Sequence, residues 1–354
     1  MSSSAQSEIS IPSTSTPALQ LKALLQNTGI SALHNTGWIR ATGEDRVRWL
    51  NGMVTNSIQQ LLPGEGTYNF LLSVQGRIQG DATIFARPDD LLMETSSPQV
   101  PTLITLLDRF IIMDDVELAD ISSTRSGLLL AGPKAASLLQ QIGLPADDLE
   151  PLAMLSLSWN NAAVDILHAY SPLVPRFELW ADHATTAKLA NTLQSLDATP
   201  CEVQSLEWLR ILEGTPQIGT DIRDRELPQE TGQTRALHFA KGCYLGQEIV
   251  ERIRSRGNVH RIFSGFRLDG DLPPAGISLE ADGKQTGELT SVAAIPLPGE
   301  SQSIHFALGY LRREALDRGL PIVYAGGIAQ PVSLPFSQPA ASAPSVASEP
   351  PERV

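Results

Sequence analysis

The densest run of chemistry-bearing residues is Lys241-Gly242-Cys243-Tyr244-Leu245-Gly246-Gln247-Glu248. Ile249, Val250 and Ile253 follow at helical spacing, and Glu248 stands four residues before Arg252 with the acid first, an order that suits the helix dipole. Cys243 is thereby expected just ahead of a helix N-terminus and close to Lys241, two features that favour a thiolate. The same spacing equally suits a buried cysteine packing a tight turn between two glycines. His238, five residues earlier, is a weak candidate base for the thiol, because nothing supplies an orienting third group.

A second feature is charge. From Arg252 to Arg267 the chain carries Arg252, Arg254, Arg256, Arg261, Arg267 and His260 with no carboxylate, inside a protein of net charge −13. Such a strip suits an anionic tail, a phosphate or RNA; it equally suits a solvated face paired with acids elsewhere. Glu230, in Leu227-Pro228-Gln229-Glu230-Thr231-Gly232, is a third candidate. A carboxylate held in a loop accepts two N–H bonds from a planar amidine-like edge. Nucleotide motifs fail: Gly127 to Lys134 imitates a phosphate loop, but Pro133 separates the glycine from the lysine. The six histidines are scattered and only Cys201 and Cys243 are present, so no metal site is expected and the usual four-cysteine iron–sulfur ligation is excluded.

The elements that must position these residues follow from pattern. Leu21, Leu24 and Leu25 predict a helix stopped by Gly29, and further helices are expected over 44–53, 102–110, 184–196 and 203–213, with one between Pro133 and Gly143. Strands are expected over 38–42, 70–74, 82–85, 91–94, 128–131, 164–167 and 177–180. This irregular alternation with adjacent strand pairs argues for α+β layers. Beyond Arg261 alternating strands and the Asp282–Gly283 hairpin signal suggest a small antiparallel barrel. The resulting division is a disordered leader over 1–18, an α+β region over 19–261 in two sub-units (19–122 and 123–261), a barrel over 262–334 and a disordered tail over 335–354. No apolar run reaches the roughly 18 residues of a membrane span. With few cysteines and no signal-peptide pattern, a cytoplasmic location is expected.

KGCYLGQE over 241–248, followed by Arg256-Gly257, resembles the signature of the YgfZ-type folate-binding proteins of the aminomethyltransferase (GcvT-like) superfamily. Arg48 to Gly52 with Thr55-Asn56, Gln75 to Ile78 with Asp81, Leu209 to Gly214 with Pro216 to Gly219, and Ala275-Gly276 with Gly287 to Ser291 resemble other family segments in the same order. The resemblance implies ferredoxin-like units around a tetrahydrofolate (or one-carbon-substituted folate) pocket, then a β-barrel. It implies an accessory role in assembly or repair of iron–sulfur enzymes, including tRNA-thiolating ones, with iron–sulfur carrier or client proteins as partners. By that likeness Glu230 would take the pterin, and Arg254, Arg256 or Arg261 the anionic tail. Lys241 and Tyr244 would lie among the folate contacts, and Cys243 would be the functional thiol. In aminomethyltransferases an Asp positions the reacting amine. The stretch matched to it, Leu91 to Leu107, has Glu94 as its one carboxylate, which speaks against ordinary aminomethyl transfer. A folate-dependent one-carbon transferase and an RNA-binding module stand as alternatives; the strip lacks interleaved aromatics for the latter, so direct nucleic-acid binding is not expected.

Overall fold

The structure, a computed structural model, describes residues 9–257 and 259–336, with the Arg256 side chain also outside the description. The chain opens with α1 (Pro17–Gln26), β1 (Gly29–Ala32), β2 (Thr36–Thr42), α2 (Arg46–Asn51), β3 (Gly66–Leu72), β4 (Ile78–Ala86), β5 (Leu91–Ser96), α3 (Val100–Asp108) and β6 (Glu117–Asp120). It continues through β7 (Ser126–Ala131), α4 (Ala135–Gln141), β8 (Met154–Trp159), β9 (Ala162–His168), β10 (Arg176–Ala181), α5 (His183–Ser195), β11 (Thr199–Pro200), α6 (Val203–Glu213) and α7 (Gln247–Arg256). Last come β12 (Arg261–Gly270), β13 (Ser278–Ala281), β14 (Lys284–Ile295), β15 (Ile304–Arg312), α8 (Arg313–Asp317), β16 (Val323–Tyr324) and β17 (Gly327–Val332).

These strands build two mixed α/β layers and a closed six-stranded antiparallel barrel, as the α+β-plus-barrel reading expected. The first sheet has order β3-β4-β5-β2-β6, the second β11-β1-β7-β10-β9-β8, and the barrel β12-β15-β14-β13-β16-β17. Between the two sheets lies an apolar layer of Trp38, Phe85 and Leu92 from one side and Met154, Leu167 and Trp180 from the other. Trp38 is fully buried and meets Trp180 edge to face at 5.1 Å, a preferred aromatic geometry. In the barrel, Asp282 and Gly283 both take positive φ (50° and 70°), as a two-residue hairpin turn demands.

Four expectations are corrected. The boundary near 122 is crossed by β1, which pairs with β7 and β11 of the second sheet. Helix α1 ends at Gln26; Gly29 instead opens β1, where a Cβ would lie 2.5 Å from Leu24 Cδ2 and 2.6 Å from Cys201 Sγ. Of the leader, residues 1–8 lie outside the described residues, but Ile11 packs on the second-sheet core and Pro17 already begins α1. Of the tail, 337–354 lie outside the described residues, whereas Phe336 sits 4.4 Å from the Phe306 ring and donates its N–H to Leu212 O at 2.8 Å.

Candidate functional site

A cavity of about 740 Å³ opens where the two sheets and α6 meet, within the usual size range of ligand pockets. Strands β3, β4 and β5 present Tyr68, Asp81 and Glu94 to it; β10 presents Arg176 and Glu178; α6 presents Arg210 and Glu213. Arg235 reaches it from the segment between α6 and α7. The alternation of side chains along each strand is what brings Glu94 and Glu178 from different sheets to one place.

The acids are held by specific partners. Asp81 accepts from Tyr68 Oη at 2.6 Å and from Gln99 Nε2 at 2.8 Å. Burial raises its pKa; the Tyr68 and Gln99 bonds and the Arg235 charge oppose the rise without cancelling it. Glu213, the last residue of α6 before the left-handed Gly214, accepts from Ser171 Oγ, and burial likewise raises it. Glu94 keeps its proton well above the usual carboxylate range because it is buried and faces Glu178. Burial opposes ionisation of Glu178 too, but the Arg176 charge at 2.8 Å and bonds from Glu94, Arg176 and Trp180 lower its pKa. The cavity can therefore offer a proton donor and a carboxylate side by side.

This pair predicts a pH effect. A folded-state pKa raised above the unfolded value means that the folded form binds more protons, so stability falls as pH rises from the ordinary value of 4.5 through the raised one. Glu94→Gln keeps a donor toward Glu178 and removes the titration. Its thermal midpoint is expected to gain on the parent's progressively as pH rises above 4.5 toward the raised value. A constant difference across that range would contradict the assignment.

The residues singled out by sequence lie mostly elsewhere. Glu230 is buried outside the cavity lining; its Oε2 accepts from the Leu227 N–H at 3.1 Å and from Arg261 Nη2 at 3.1 Å. Arg261 also reaches Glu226 at 3.3 Å. These two candidates neutralise each other at the seam between the 226–230 loop and β12. Arg254 lies over the Phe239 ring and pairs with Glu251 at 3.5 Å, and Arg252 pairs with Glu248 at 2.6 Å. Arg252, Arg254 and Arg261 of the strip thus have acidic partners. The Arg256 side chain lies outside the described residues.

Lys241 is not a free cation beside the thiol. Its ammonium donates to the carbonyls of Asn51, Val54 and Asn56, each at 2.7 Å, which uses all three donors. Burial lowers its pKa to about 8. Tyr244 is buried in a cluster with Tyr68, Phe70 and Val250, on the face of the first sheet that carries Asp81, and burial pushes its phenol up to about 12. Cys243 is exposed on the loop before α7. That loop is fixed at Gly246 (φ 81°), where a Cβ would lie 2.6 Å from Ser73 O and 3.2 Å from Gly76 Cα. The two glycine-bearing segments read in the sequence therefore touch each other, backbone to backbone.

Sequence reasoning missed Glu213, Arg235 and Tyr170. A signal existed for the first: Glu213 also precedes a glycine turn, as Glu230 does. The Thr55-Asn56 segment serves the second. Asn56 Nδ2 donates to Arg235 O at 2.9 Å and Thr55 Oγ1 to Ala236 O at 2.6 Å.

Comparison with known proteins matches residues 18–241 to the GCVT N-terminal domain family. A putative chloroplastic transferase of Arabidopsis thaliana is 25% identical over 85% of this chain and 69% of its own length. An aminomethyltransferase of a Nostoc strain is 25% identical over 85% of this chain and 81% of its own. The solved aminomethyltransferase T of the Bartonella henselae glycine cleavage system superposes with a TM-score of 0.81 at 19% identity, covering 91% of this chain and 89% of that one, a likeness of fold.

Proposed function

Because the chain belongs to the GCVT N-terminal domain family, we propose that it binds a tetrahydrofolate in the cavity between its two sheets and supports one-carbon chemistry there. The observation that carries this reading is the cavity itself, with buried and half-buried acids from both sheets and α6 converging on one space. A pterin presents N–H donors in a plane, and a buried carboxylate such as Glu213 pairs with such an edge. Glu213 thereby takes the role that the sequence suggested for Glu230. Asp81 restores the carboxyl that was looked for between Leu91 and Leu107: it stands on β4 and faces the cavity. That favours a folate-dependent transferase more than the sequence alone did.

A second reading rests on Cys243, whose exposure leaves the thiol accessible to another protein. In it, the folate-bound protein is an accessory factor for assembly or repair of iron–sulfur enzymes, including tRNA-thiolating ones. Isothermal titration with tetrahydrofolate tests the shared premise. Micromolar binding is expected, weakened about tenfold or more by Glu213→Gln, the loss of one charge-assisted bond. Glu230→Ala is expected to lower stability with at most a few-fold change in affinity. No binding by the intact protein would discard the folate reading. Cells carrying Cys243→Ser then separate the two roles: retained iron–sulfur enzyme activity leaves the transferase reading.

A further inference from the structure

Three arginines line the cavity, and they differ in one respect. Arg176 is paired with Glu178 at 2.8 Å, and Arg210 with Glu207 and Asp221, each at 2.7 Å. Arg235 has no carboxylate within ion-pair distance among the described residues, where its one side-chain hydrogen bond runs from Nε to Gln233 Oε1 at 3.1 Å. Its guanidinium is held between two phenol faces, 3.9 Å from the Tyr68 ring and 3.8 Å from the Tyr170 ring. Stacking fixes the plane of the group while the Nε bond fixes its rotation, and the main chain at 235–236 is tied by Asn56 and Thr55. What remains is the Nη edge of a rigid, always-charged fork, the geometry that receives a carboxylate through two parallel bonds. Arg235 is half-buried, and a guanidinium partly withdrawn from water with no paired carboxylate gains from a ligand that supplies one.

We propose that the Tyr68–Arg235–Tyr170 stack is a carboxylate-receiving site of the cavity, filled by the carboxylate of a bound ligand. Two sources share that chemistry. One is a small amino acid, whose amine would then lie toward Asp81, since the Tyr68 ring under Arg235 carries the hydroxyl bonded to Asp81. The other is the glutamate of a folate tail, and this arm alone rests on the folate reading above.

The test uses the full chain and two acid–ester pairs: sarcosine with its methyl ester, and tetrahydrofolate with its α,γ-dimethyl ester. Affinities are measured by titration for the intact protein, Arg235→Gln and Arg235→Lys, with circular dichroism to verify folding. In at least one pair the acid is expected to bind about tenfold or more tightly than the ester, as one charge-assisted contact implies. Arg235→Gln should erase that preference, and Arg235→Lys, which keeps charge without the fork, should retain part of it. Preference in the sarcosine pair identifies an amino acid as the occupant; preference in the folate pair identifies the tail. Equal binding of acid and ester in both pairs, no binding by any of the four, or a preference untouched by Arg235→Gln overturns the proposal. If neither folate form binds while the sarcosine pair discriminates, the folate reading fails and the carboxylate site stands. If Arg235→Gln does not fold, the intact protein and Arg235→Lys still decide.

Discussion

Asp81→Asn is expected to slow folate-dependent transfer, assayed with a lipoyl-carrier or amine substrate, by about 10²–10⁴-fold, the usual worth of a positioned acid–base group. Tetrahydrofolate affinity should change only a few-fold. The substitution is nearly isosteric, and the amide oxygen can still accept a bond from Gln99 or Tyr68, which bond the two carboxyl oxygens now. Folding should survive, because the hairpin of β3 and β4 pairs along its whole length without this side chain. What the variant loses is a group able to take or give a proton at the cavity wall. The raised pKa of Asp81 places its titration closer to neutrality than that of an exposed carboxyl. The parent rate should therefore depend on pH through a group that the variant lacks. A rate and pH profile unchanged in Asp81→Asn would remove proton transfer from this residue and favour the accessory reading.

Arg210→Ala is expected to destabilise the fold by about 3–5 kcal/mol, the cost of stranding a buried charge. Asp221 is fully buried and accepts four bonds: from Arg210 Nη1 at 2.7 Å, the Gln217 N–H at 2.9 Å, Thr290 Oγ1 at 2.5 Å and Ser291 Oγ at 2.8 Å. Arg210 Nη2 also reaches Ser291 Oγ at 2.7 Å. One ion pair thus ties α6, the loop after it and β14 of the barrel. Denaturant titration of Arg210→Ala and of Arg210→Ala/Asp221→Asn checks the mechanism. The double variant should lose less than the single, since its remaining partner carries no charge. A double variant less stable than the single would show that packing, rather than the orphaned carboxylate, sets the loss.

Much of the fold was legible because its signals are local. Helix α6 spans Val203–Glu213, as the spacing and Gly214 indicated, and the barrel hairpin turns at Asp282–Gly283. Strands β1 and β11 were not legible: they are short, and each is defined by partners far away in sequence. The site was legible as segments and not as an assembly. KGCYLGQE was recognised, yet it acts as a brace, with Lys241 capping three carbonyls and Gly246 seated against Gly76. A sequence lists charges without their pairings. Arg261 and Glu230 were both read as available to a ligand, and they face each other. Arg235, which has no such partner among the described residues, carried no local pattern to mark it.

The placement of β1 has a consequence for how the chain comes to be folded. Residues 29–32 leave the ribosome well before their neighbours in the sheet, residues 128–131 and 199–200. At about 5–20 residues per second the strand waits roughly 10–30 s for its last partner. During that interval its backbone donors and acceptors are open to any other edge, and its long-range closure slows the final step. Strand β1, made before the whole of the first sheet, therefore finds its last partner only after that sheet is complete.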